Sequence, residues 1–83
     1  MKDDDEVIAK RFMPAIIRHY RDAAGFSQRQ LADAAGVSKG FISALEGGRS
    51  VPNLDMLVRI ARSLEADPGE MLNAMVAESE KDD

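Results

Sequence analysis

Apolar residues recur along this chain at every third or fourth position, which is the spacing that gathers them on one side of an α-helix. Strand-like alternation of apolar and polar residues is short wherever it occurs, and β-branched residues are sparse. The pattern therefore predicts an all-α domain built from five helices.

The first predicted helix runs from about Pro14 to Ala24. Proline suits a first helical position, where its missing N–H is not needed, and Gly25 can end the helix in a left-handed conformation. Upstream, three apolar residues predict no more than a short amphipathic turn or arm: Val7, Ile8 and Phe12.

The second and third predicted helices are short and closely joined. Ser27 can cap the second helix, with Gln30 three residues later completing a capping box, and Ser38 can cap the third. The turn between them is Ala35-Gly36-Val37, and Gly47-Gly48 ends the third helix. We expect Ile42 and Leu45 to anchor the third helix to the core.

The last two predicted helices begin at Asn53 and at Asp67-Pro68. The fourth carries an apolar stripe at helical spacing: Leu54, Leu57, Val58, Ala61 and Leu64. The fifth carries a second stripe: Met71, Leu72, Met75 and Val76. We expect the acidic residues from Glu78 onward to fray.

Length and composition narrow the class of protein. The 83 residues are enough for one small domain, which we place at 13–77, between an acidic extension at 1–12 and an acidic tail at 78–83. There is no cysteine and one histidine, so we expect no metal site, cofactor or enzyme activity. No apolar run is long enough for a membrane span and the amino terminus is acidic, so we expect a cytoplasmic protein.

The net charge of −4 is unevenly distributed. Acidic residues dominate 1–6 and 65–83, whereas residues 7–64 hold nine Lys or Arg side chains against four acids. A basic middle between acidic ends suits either a nucleic-acid-binding domain or an ordinary domain with two solvated ends.

The segment from Phe26 to Ser50 reads Phe-Ser-Gln-Arg-Gln-Leu-Ala-Asp-Ala-Ala-Gly-Val-Ser-Lys-Gly-Phe-Ile-Ser-Ala-Leu-Glu-Gly-Gly-Arg-Ser. Together with Pro52-Asn53 and the stripe from Leu57 to Leu64, it resembles the lambda-repressor-like, Xre/Cro family of helix-turn-helix domains. The resemblance covers about residues 13–72 and implies a compact five-helix bundle that binds double-stranded DNA as a homodimer, with residues 39–46 in the major groove.

The resemblance also implies which residues contact bases. Four lie on the outer face of the third helix: Lys39, Gly40, Ser43 and Ala44. Lys39 opposes the helix dipole and Gly40 costs about 0.5–1 kcal/mol relative to alanine, so neither residue favours folding. Lysine and serine can bond to base edges and alanine can meet a thymine methyl, but small side chains here leave more of the specificity to DNA shape.

A second set is expected at the sugar-phosphate backbone: Ser27, Gln28, Arg29, Ser38, Phe41, Arg49, Ser50 and Asn53. In relatives the residue at Gln28 also braces the recognition helix. Phe41 could equally pack against the core, and Arg29 could be an ordinary surface residue. Arg21 and Glu46 match positions that form a structural ion pair in the family.

We expect a sequence-specific transcriptional regulator, a repressor or autoregulator, that binds an inverted-repeat operator. The expected dimer interface is the stripe on the fifth helix, Met71, Leu72, Met75 and Val76, with the amino-terminal stripe as the competing surface. The alternative is a protein-interaction module, an antitoxin or adaptor whose acidic ends bind a basic protein partner.

Overall fold

Five helices account for the fold. A computed structural model describes residues 2–81, with side chains from residue 8 onward. The helices are α1 (Lys2–Ala23), α2 (Gln28–Ala35), α3 (Lys39–Glu46), α4 (Leu54–Ser63) and α5 (Pro68–Lys81). Over the described range no residue lies in a strand, which confirms the all-α prediction.

Helix α1 is much longer than predicted. It runs through Pro14 without ending, so Pro14 is an interior residue and the predicted extension at 1–12 is continuous with the first helix from Lys2 onward. An interior proline removes one backbone hydrogen bond and costs about 3 kcal/mol. The apolar residues before it offset this cost, because Ile8 and Phe12 pack against the core and Met13 is buried within it.

The core lies between the five helices: α1 packs against α3 and α5, α2 packs against α3 and α4, and α4 packs against α5. Its buried apolar residues are Met13, Ile16, Ile17, Leu31, Ala32, Ala35, Ile42, Leu45, Leu57, Ile60, Ala61, Leu64, Met71 and Met75. Helix α5 packs along α1 and continues from Glu78 to Lys81, so the predicted fraying is wrong for residues 78–81. Residues 82 and 83 lie outside the described part of the chain.

The predicted stripe of α4 is only partly correct. Leu57, Ala61 and Leu64 are buried as expected, whereas Leu54 is 75% exposed and Val58 is half-buried. Leu54 is the first helical residue after the cap at Asn53, so it projects beyond the edge of the core.

Candidate nucleic-acid interface

Helices α2 and α3 form a compact helix-turn-helix. Gly36 adopts a left-handed conformation with φ of 74°, and Val37 N–H donates to the Ala32 carbonyl at 3.0 Å, which closes the end of α2. Ala32 is buried, and its small side chain allows the two helices to approach closely. Ile42 and Leu45 fix α3 to the core, as the sequence predicted.

Three of the predicted phosphate contacts are helix caps. Ser27, Ser38 and Asn53 each accept a hydrogen bond from the backbone N–H three residues later, at distances of 3.0, 3.0 and 2.8 Å. Each side chain keeps donor hydrogens that face solvent, since all three residues are exposed. Capping therefore leaves them able to donate to an anion beside the first turn of α2, α3 or α4.

The carboxylate of Glu46, at the end of α3, joins three helices. Arg21 of α1 donates to it from Nε at 2.6 Å and from Nη2 at 3.0 Å, and Gln28 of α2 donates from Nε2 at 3.0 Å. The Glu46 side chain is 3% exposed and the Arg21 side chain 13%. Arg21 and Glu46 thus form the ion pair that the sequence predicted, and Gln28 holds α3 through the same carboxylate.

The charge of Glu46 is maintained inside this cluster. Burial alone would raise the pKa of Glu46, but the hydrogen bonds from Arg21 and Gln28 and the attraction of Arg21 and Arg18 outweigh it and lower the pKa below its usual value. A charged Glu46 keeps the carboxyl end of α3 attached to α1 and α2 at neutral pH.

Sequence reasoning missed one member of this cluster, Arg18. Its Nη2 donates to the Glu46 backbone carbonyl at 3.3 Å, and its side chain is 57% exposed. Arg18 lies one helical turn before Arg21, so the two arginines share a face of α1. That spacing, within the helix predicted from Pro14 to Ala24, was the available signal.

The predicted base-contacting residues lie together on the face of α3 that turns away from the core. Lys39 and Gly40 are exposed, and Ser43 and Ala44 are half-buried one turn further along. No side-chain hydrogen bond or ion pair within residues 8–81 involves Lys39 or Ser43. This outer surface of α3 is therefore free to contact a ligand.

The remaining predicted backbone contacts surround this surface with mixed exposure. Arg29 is exposed, Phe41 is half-buried against the core, and Ser50 is half-buried after α3. Arg49 is exposed, and a Cβ placed on Gly47 would lie 2.8 Å from its Nη1, so the guanidinium lies over the carboxyl end of α3. A cation is favourable at that end of a helix.

The predicted dimer interface on α5 is wrong for two of its four residues. Met71 is fully buried and Met75 is 9% exposed, because both pack in the core where α5 lies along α1. Leu72 is half-buried and Val76 is 45% exposed. Of these four residues of α5, only Val76 exposes much of its apolar side chain to solvent.

Other kinds of site find little support in the described residues. Residues 8–81 contain no group of three or more potential metal ligands. None of the five helices, over the range described, is long and apolar enough to cross a membrane.

Comparison with known proteins decides the family. A family model described as a helix-turn-helix domain matches residues 15–75, which is most of the chain. The chain belongs to this family. The resemblance to lambda-repressor-like regulators of the Xre/Cro type is thereby confirmed, and the all-α helix-turn-helix fold with it.

Individual relatives agree with this assignment. An uncharacterized HTH-type transcriptional regulator of Methanothermobacter thermautotrophicus is 44% identical over 52 residues, covering 63% of this chain and 75% of the relative. The HTH-type transcriptional regulator SlrR of Bacillus subtilis is 37% identical over 67 residues, covering 80% of this chain but only 44% of SlrR. The crystal structure of the clp gene regulator ClgR of Corynebacterium glutamicum superposes with a TM-score of 0.83 at 27% identity, covering 89% and 79% of the two chains.

Proposed function

We propose that this helix-turn-helix domain is a sequence-specific, double-stranded-DNA-binding transcriptional regulator that acts as a repressor or autoregulator. The observation that carries the proposal is the presentation of α3. Its inner side is fixed by Ile42, Leu45 and the Glu46 cluster, while Lys39 and Ser43 face outward without an intramolecular partner among residues 8–81. A rigid helix with a free polar face can enter the major groove.

Base readout is assigned to the outer face of α3. Lys39 can donate to the O6 and N7 atoms of guanine, and Ser43 can bond to either kind of base edge. Gly40 and Ala44 offer little polar reach, although Ala44 can contact a thymine methyl. We infer that direct readout covers few base pairs and that sequence-dependent DNA shape supplies the rest of the specificity.

Phosphate contacts are assigned to the helix starts around α3. Exposed donors at Ser27, Ser38 and Asn53 each stand beside the amino-terminal end of a helix, where the backbone amides and the dipole favour an anion. Gln28, Arg29, Phe41, Arg49 and Ser50 complete the proposed backbone contacts. The excess of positive charge in residues 7–64 favours binding to a polyanion.

The regulator is proposed to bind as a homodimer. Two copies related by a two-fold axis would place their α3 helices in successive major grooves about 34 Å apart, which matches an inverted-repeat operator. The relatives described as HTH-type transcriptional regulators support the regulatory role.

The decisive experiment is selection from a random duplex library at two salt concentrations. We expect enrichment of an inverted repeat whose half-sites are one helical turn apart. Binding that depends on salt but not on sequence, or no binding at all, would overturn the proposal. That result would favour a protein-interaction module, and a stoichiometric partner covering α3 should then co-purify.

Replacing Lys39 by alanine should weaken binding to the selected operator by about 1–3 kcal/mol and relax the preference at one base position per half-site. The measurement is a repeat of the selection together with fluorescence anisotropy on the operator. Lys81→Ala is the matched control, because it removes the same charge at the far end of α5. An unchanged motif and affinity for the Lys39 variant would remove Lys39 from the readout surface.

Replacing Arg49 by alanine should weaken binding to all sequences alike. The loss of one phosphate contact should reduce the slope of log affinity against log salt by about one. Arg49→Lys keeps the charge and should retain the wild-type slope. A wild-type slope for the alanine variant would place Arg49 away from the phosphates.

A further inference from the structure

The start of α4 exposes apolar surface that the fold does not use. Leu54 is 75% exposed and Val51, three residues earlier, is 45% exposed. Val58 lies one turn beyond Leu54 on the same side of α4 and is half-buried. Apolar side chains clustered at a surface are a feature of protein contact sites.

A groove lies directly beside these residues. It has a volume of about 480 Å³ and runs between α2 and the outer side of α4. Its walls are formed by Ala34, Asp55, Val58, Arg59, Arg62 and Ser63. Val58 belongs both to this lining and to the apolar surface. Asp55, Arg59, Arg62 and Ser63 make the rest of the lining mostly polar, so an apolar side chain entering the groove would pack on Val58 and on the alkyl stems of the arginines.

The charged side chains of α4 are separated by sign along the helix and have no ionic partner within residues 8–81. Asp55 is in the first turn, and Arg59 and Arg62 are in the second half of the helix. All three are exposed, and none has an ion pair or side-chain hydrogen bond within residues 8–81. If α4 of a second copy packed antiparallel to this α4, Asp55 of each copy would lie beside an arginine of the other.

We propose that the outer face of α4 is the surface on which a second copy of this chain docks, through an antiparallel α4–α4 contact about a two-fold axis. Leu54 of each copy enters the groove of the other, Val58 lies near the axis, and Asp55 pairs with Arg62 of the second copy. An isologous contact requires a surface that complements itself. This face carries a projecting side chain, Leu54, beside a groove, and it carries both signs of charge. The inference rests on the proposed function, since it supplies the interface of the homodimer.

Several observations favour a second copy over other occupants. The face carries one aspartate and two arginines, Asp55, Arg59 and Arg62, so a partner of a single charge sign would be repelled by part of it. Helix α5 is less suitable as the interface, since its core-facing methionines are already buried.

The first test compares two aspartate substitutions by sedimentation velocity over a wide range of protein concentration. Leu54→Asp should weaken the dimer at least about a hundredfold, because a two-fold interface carries the change twice and each leucine is buried against the second copy. Val76→Asp places the same charge at the exposed apolar residue of α5 and should leave the dimer unchanged. Circular dichroism should show native helix content for both, since both positions are exposed.

The second test uses the separation of charge along α4, where Asp55 lies in the first turn and Arg62 in the last. Asp55→Arg and Arg62→Asp should each weaken self-association about tenfold or more, because each variant brings like charges together at two places. Mixing the two single variants should restore a dimer of wild-type stability, since each then meets the opposite charge. This complementation does not occur if the charges act only within one chain.

Three results would overturn the inference. If Val76→Asp dissociates the dimer and Leu54→Asp does not, the interface is α5 and the proposed homodimeric regulator stands. If mixing the charge variants restores nothing, the α4 pairing is excluded in the same way. If wild-type protein sediments as a monomer at every concentration, the α4 interface and the homodimer both fail, while sequence-specific binding is judged separately by the library selection.

Discussion

Arg21→Met is expected to lower the free energy of unfolding at neutral pH by about 3–5 kcal/mol, because removing one partner leaves a buried charge without its main counter-ion. Glu46 would keep only Gln28 and the more distant Arg18. A domain of this size has about 5–15 kcal/mol of stability in total, so the loss should be evident in urea or thermal unfolding.

The pH dependence of this variant identifies the cause. In the wild type the lowered pKa of Glu46 contributes stability that is complete above the unfolded pKa and is lost as the pH falls through the folded pKa. Without Arg21, burial raises the pKa of Glu46 instead, so acid relieves the buried charge. The difference in unfolding free energy between variant and wild type should therefore shrink as the pH falls.

Arg18→Met is the matched control for this prediction. It removes a guanidinium from the same cluster, but one whose side chain is 57% exposed, so we expect a loss of about 1 kcal/mol or less. Equal losses for both variants, or a difference that does not change with pH, would contradict the assignment of Glu46 as a buried charge stabilised by Arg21.

Met71→Ala is expected to cost about 2–5 kcal/mol of unfolding free energy, because Met71 is fully buried between α5 and the rest of the core. Val76→Ala on the exposed side of α5 should change stability by no more than about 0.5 kcal/mol. Urea unfolding of both variants provides the measurement. A small effect at Met71 would mean that α5 is not part of the core and would reopen it as an interface.

Two errors of the sequence analysis have one physical origin. Pro14 is a strong helix-start signal, so the residues before it were assigned to a separate extension. The sequence likewise predicts a dimer interface on the methionines of α5, because it does not show that α1 extends far enough to pack along that helix. In the structure α1 continues through Pro14 and packs along α5, and this non-local packing is not visible in local residue preferences.

The helix-turn-helix itself was predictable because its signals are local. The caps at Ser27 and Ser38, the turn glycine Gly36 and the anchors Ile42 and Leu45 all act within a few residues of their own position. The Arg21–Glu46 pair spans 25 residues and was expected only from the family resemblance. The residues alone indicated neither the hydrogen bond from Gln28 to Glu46 nor the exposure of Leu54.

The outer face of α3 has a consequence for how such a chain can change over generations. The side chains of Lys39 and Ser43 make no hydrogen bond or ion pair within residues 8–81. A Cβ on Gly40 would meet only Ser38 Oγ, at 3.9 Å. Side chains of many sizes could occupy these positions while Ile42, Leu45 and Glu46 maintain the fold from the other side. This surface can thus diversify almost independently of the core. If it reads DNA as proposed, descendants of one stable scaffold could acquire different DNA preferences by few substitutions.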